Sequence, residues 1–172
     1  KMYKYSSYIW LIVAVLLLQI FLLDNLSIAL WLRPMIFPLV VLLLPMEWRS
    51  IWVLLATLAV GCVMDLALGG AGLYTASLLP IAILRPTIIY LTTRRQQEPG
   101  DQQELLARLG LRQMMLYMVV ALLVHHTLYF MLETLSLAQP LLLVATILAS
   151  TLCSVVIAWP IVRLFLSKIV VK

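Results

Sequence analysis

Charge is scarce in this chain. Of 172 residues, 12 are Lys or Arg and 7 are Asp or Glu. The charged share is 11%, against about 25% in soluble domains. Disorder is excluded, because it requires high charge with low hydrophobicity. Cysteine is nearly absent. Cys62 and Cys153 both lie in apolar runs and form no C-x-x-C, so neither a disulfide framework nor a zinc ribbon fits. They read as small apolar fillers. Histidine occurs only as the pair His125-His126. No G-x-S-x-G, P-loop or H-E-x-x-H is present, and no two intramembrane carboxylates share a depth. The expectation is therefore a protein that is not an enzyme and carries no metal or cofactor. No basic cluster lies beside stacking aromatics, so nucleic acid is not an expected partner.

Apolar residues fill what charge leaves empty. They make up 65% of the chain, and the mean hydropathy is +1.10. A soluble fold of this size could not cover so much apolar surface. The expected class is an all-α membrane protein, a single integral membrane domain over 1–172. Six spans of about 20 residues would occupy roughly 120 positions. The runs place them at about 8–23, 35–45, 51–68, 73–91, 113–132 and 140–166. The first run is not followed by a small-residue cleavage site, so it reads as a retained helix. The second is short, with Pro38 inside and Pro45 at its end, which predicts a kinked or incompletely crossing helix. Residues 92–112 are the one long polar segment. Leu105, Leu106, Leu109 and Leu111 gather near one helical face there, with Glu104 four residues before Arg108. That pattern predicts an amphipathic helix on the membrane surface.

Six spans would put both termini on one side. Lys1, Lys4, Arg49, Arg94, Arg95, Arg108, Arg112, Arg163, Lys168 and Lys172 fall on that side, and Arg33 alone on the other. Such asymmetry predicts cytoplasmic termini and places Arg33 at the outer face.

Ionisable groups inside spans are costly, and each is a functional candidate. Asp65 falls about 5 Å below the outer boundary and Arg85 about 18 Å deep, at 1.5 Å per residue. Depth therefore pairs Arg33 with Asp65, and leaves Arg85 to snorkel inward. Gly61, Asp65 and Gly69 share one face of the third span, a face on which a partner's helix could lie closely. His126 and Glu133, seven residues apart, share a face of the fifth. The imidazoles are expected to bond Thr127, Tyr129 or a neighbouring helix.

At these residues the chain resembles the rod-shape-determining MreD family. An Arg-Pro step, Arg33-Pro34, opens the second segment. The third carries Gly61, Asp65 and Leu66, followed by Gly69, Gly70 and Gly72, and His126 and Glu133 lie along the fifth. The resemblance implies a scaffold in the bacterial inner membrane that binds the bitopic protein MreC. Through MreC it would act with MreB, the glycosyltransferase RodA and a penicillin-binding transpeptidase. It also implies the six-helix fold of substrate-binding (S) subunits of energy-coupling-factor vitamin transporters. That relation supplies a second expectation, a small-molecule-binding transport subunit, which would need a concave outer pocket. The loops 69–73 and 133–139 are too poor in polar residues to predict one.

Overall fold

The computed structural model describes residues 2–25, 32–45, 48–94, 109–135 and 138–170. The described residues are almost wholly helical. Helix α1 spans Met2–Leu17 and continues as a π-helical turn, Leu18–Leu23. Then come α2 (Pro38–Leu43), α3 (Ser50–Leu68), α4 (Leu73–Thr93), α5 (Leu111–Thr134) and α6 (Pro140–Val170). Four stretches are long and apolar enough to cross a membrane: α3, α4, α5 and the Pro140–Leu164 part of α6. This is the character of a multi-pass membrane protein. In α1 the apolar stretch is shorter, Tyr8–Leu23.

Helices α3 to α6 pack in chain order, α4 against both α3 and α5, and α5 also against α6. The end holding Asp24, Arg33, the Gly69–Gly72 turn and Glu133 is the upper end. The turn reverses the chain through left-handed backbone at Gly69 (φ +70°) and Gly72 (φ +94°), which glycine adopts without penalty. The long polar segment is narrower than expected. Thr92 and Thr93 belong to α4, their hydroxyls bonded back to Ile88 and Ile89 carbonyls, and Arg112 belongs to α5. The predicted amphipathic stretch over 95–108 lies outside the described residues.

The second segment is the centre of the bundle. Every residue from Pro34 to Pro45 is buried, as expected of a helix apolar all round. It touches α1, α3, α4 and α5. Its helix has only six residues, about 9 Å of rise. It starts at Pro38, whose fixed φ suits the first helical turn. It stops before Leu44, which precedes Pro45 and is held extended (φ −53°, ψ 149°). A short helix bounded by prolines is what forms. It creates a problem, because non-helical backbone inside an apolar bundle needs hydrogen-bond partners.

Candidate functional site

The polar side chains of the spans converge on that problem. At the upper end of the α2 segment, four backbone groups are met by side chains. Gln19, in the π-helical turn, accepts from the Ile36 N–H (2.7 Å) and donates to the Pro34 carbonyl (3.2 Å). Ser154 Oγ accepts from the Met35 N–H at 2.8 Å, and Ser150 Oγ from the Arg33 N–H at 3.2 Å. The two serines lie four apart on α6, so one face of that helix holds the extended chain. At the lower end, Arg85 donates to the Leu42 carbonyl at 3.4 Å and to the Leu44 carbonyl. Tyr117 also donates to Leu42, at 3.4 Å. Arg85 is 4% exposed. The expected snorkelling toward the membrane surface does not occur. Arg85 faces the interior of the bundle, where the Leu42 and Leu44 carbonyls accept from its Nη2 and its Nε is buried without a partner.

Behind Ser154 stands His126. Its Nδ1 meets the Leu122 carbonyl at 2.7 Å, and its Nε2 meets Ser154 Oγ at 3.2 Å. A carbonyl can only accept, so Nδ1 carries the proton and Nε2 accepts. Ser154 Oγ also lies 2.7 Å from the Ser150 carbonyl, and its one proton serves either that carbonyl or His126 Nε2. His125 pairs with Ser77 at 3.3 Å, while the Ser77 hydroxyl donates to the Tyr74 carbonyl. His125 Nδ1 is buried without a partner. A serine beside a histidine held by an acceptor is the outline of a nucleophile and its base. Here Ser154 and both histidines are fully buried, and Ser154 already bonds Met35, Ser150 and His126. The geometry is that of a bridge between α5, α6 and the α2 segment. Of the expected histidine partners, the neighbouring helix is the one found. Thr127 instead bonds back to Leu123.

Arg33 does not pair with Asp65. Its guanidinium forms a salt bridge with Glu133 at the top of α5. Burial lowers the proton affinity of Arg33, but Glu133, and after it Tyr129, outweigh that effect and raise its pKa. Asp65 turns instead to its own chain. It accepts from the Tyr74 and Thr75 N–H groups at 3.0 Å each, and from the Thr75 hydroxyl at 2.5 Å. It thus caps the start of α4 from the end of α3, satisfying amides a helix leaves free. Shared depth could not foresee this, because the free amides of α4 lie directly across the turn.

The expected groove along Gly61, Asp65 and Gly69 is also filled from within. A methyl group on Gly61 would lie 2.7 Å from Thr75 Cα, so α4 of the same chain occupies that face. Gly69 ends α3 and has nothing within 4 Å of where its Cβ would stand, so it serves the turn and not a helix contact. Pro34 is buried, with its carbonyl held by Gln19. Sequence reasoning missed Gln19, Ser77, Tyr117, Ser150 and Ser154. The one signal was the i, i+4 pair Ser150 and Ser154 in an apolar run.

A pocket of about 260 Å³ opens at the upper end, lined by Gln19, Leu23, Asp24, Leu32, Arg33, Pro34, Met35, Leu68 and Tyr74. It draws its polar groups from α1, the 32–34 segment and α4, not from the two loops that argued against a pocket. Among the described residues, no three metal-ligating side chains come together. No family model matches the chain, and neither does any curated protein or solved structure.

Proposed function

We propose that this protein is a non-enzymatic scaffold of the MreD type in the bacterial inner membrane. In this reading α1 and the α2 segment complete six crossings, in the arrangement of energy-coupling-factor S subunits, with both termini cytoplasmic. It binds an MreC-like bitopic protein and so helps couple MreB, RodA and a penicillin-binding transpeptidase to rod shape. One observation carries the reading. The ionisable side chains singled out in the spans bond this chain's own helices: Asp65 caps α4, Arg85 holds α2, His126 braces Ser154 and Glu133 holds Arg33. A scaffold needs such rigidity, and it leaves the apolar outer faces of the helices for lipid and partner helices. Because α4 fills the Gly61 face, the partner's helix belongs on another surface.

Affinity purification from native membranes, with mass spectrometry, tests the proposal. Recovery of an MreC-like protein, with cell widening on depletion, is the expected result. Recovery of a transporter ATPase module would replace it with the second reading, a small-molecule-binding transport subunit. That reading draws on the upper-end pocket.

A further inference from the structure

The upper-end pocket lies where apolar segments stop. Asp24 follows the last residue of the π-helical turn, Leu68 ends α3, and Tyr74 is the second residue of α4. For helices that cross a bilayer, that level is the headgroup region. Two lining side chains carry full charge, and they are opposite: Arg33 and Asp24. Glu133 engages Nη1 of Arg33, and the Arg33 side chain remains 52% exposed, so further guanidinium donors face outward. The lining itself brings one positive charge, Arg33, and one negative, Asp24. A purely anionic ligand would be repelled by Asp24, and a purely cationic one by Arg33. A zwitterion satisfies both walls.

We propose that this pocket seats the phosphoethanolamine group of a phospholipid, its phosphate toward Arg33 and its ammonium toward Asp24. Phosphate suits the forked guanidinium. A primary ammonium donates three hydrogen bonds to carboxylate and carbonyl oxygens, whereas a trimethylammonium donates none. The Pro34 carbonyl is already held by Gln19, so the wall that carries it is fixed in place before a ligand enters. Polar groups dominate the pocket's surface, as a headgroup site requires, and Leu23, Leu32 and Leu68 line it only sparingly. The same chemistry occurs in soluble glycerophosphoethanolamine, but the level of the pocket favours the lipid. This inference is independent of the scaffold reading and holds for any partner.

Native mass spectrometry of the detergent-purified full chain tests it, with phosphatidylethanolamine, phosphatidylcholine and phosphatidylglycerol at equal concentration. Phosphatidylethanolamine should be retained at least about fivefold over the other two, a difference of roughly 1 kcal/mol. Asp24→Asn should abolish that preference, whereas Arg33→Gln should lower retention of all three lipids, whose common phosphate it holds. Glu133→Gln, which breaks the same salt bridge without touching the pocket wall, should keep it. Asp24→Asn is isosteric and exposed, so it decides the matter even if Arg33→Gln fails to fold. Equal retention of the three lipids, or a preference that survives Asp24→Asn, overturns the proposal. Tighter binding of glycerophosphoethanolamine than of the lipid overturns the lipid assignment.

Discussion

The α2 segment is held by neutral side chains at its upper end and by a buried cation at its lower end. The difference follows from what each end leaves unbonded. Above, the exposed groups are of both kinds: N–H of Arg33, Met35 and Ile36, and the Pro34 carbonyl. Glutamine and serine can donate and accept, so they fit both. Below, among the described residues, the groups left to side chains are carbonyls, at Leu42 and Leu44. They carry the partial negative charge of a helix C-terminus, which favours a cation. A broken helix in a membrane bundle thus selects its neighbours by the sign of the groups it exposes.

Loss of Arg85 should have the largest effect. Arg85→Met leaves the Leu44 carbonyl without its donor, at about 1–3 kcal/mol, and the Leu42 carbonyl with Tyr117 alone. It also relieves the desolvation of the charge, so a net loss of about 3 kcal/mol is expected. Thermal unfolding in detergent measures it. Arg85→Lys should recover part, since an ammonium keeps three donors. A loss no larger than that of Ser154→Ala would show that the two ends do not differ as described.

The upper end should be less sensitive, because its bonds are neutral and spread over several residues. Gln19→Leu orphans one N–H and one carbonyl and should cost about 2–3 kcal/mol. Ser154→Ala should cost about 1–2 kcal/mol. Since the two residues hold adjacent amides, the double variant should depart from additivity. Strict additivity in unfolding midpoints would mean that the two sites act separately.

Away from α2 the effects should be no larger. Asp65→Ala removes the cap of α4 and should cost about 1–2 kcal/mol. Gly61→Ala forces α3 from α4 against the Thr75 backbone and should cost a similar amount. Both are expected to lower the unfolding midpoint without removing the protein from the membrane. The half-exposed Arg33–Glu133 bridge comes last. Glu133→Gln should change stability by about 0–1 kcal/mol, and less at high salt.

Much of the architecture was legible in the sequence, for physical reasons. The runs at 51–68, 73–91, 113–132 and 140–166 overlie α3, α4, α5 and α6. Glycines, prolines and charges bound them, and a span needs about 20 apolar residues whatever it packs against. The interruption of the second run was legible too, because proline acts on its own backbone. Partner choice was not legible. Depth along a helix is one coordinate, and rotation about the axis is another. Arg33 and Asp65 share depth, yet Asp65 points across its own turn and Arg33 points at α5. Arg85 follows the same logic, since snorkelling describes a side chain in contact with lipid and this one faces inward. Gln19 carried no signal because a lone amide in an apolar run does not say which backbone it will meet.

Site-resolved amide hydrogen exchange of the protein in lipid nanodiscs tests the central claim most directly. Met35 and Ile36 lie outside any helix, so secondary structure alone would leave their amides to exchange as a loop. With Ser154 and Gln19 accepting from them, both should be protected as strongly as the interior of α4. Gln19→Leu should release Ile36 while Met35 stays protected. Loop-like exchange at Ile36 in the unaltered protein, or unchanged protection after Gln19→Leu, would contradict the account.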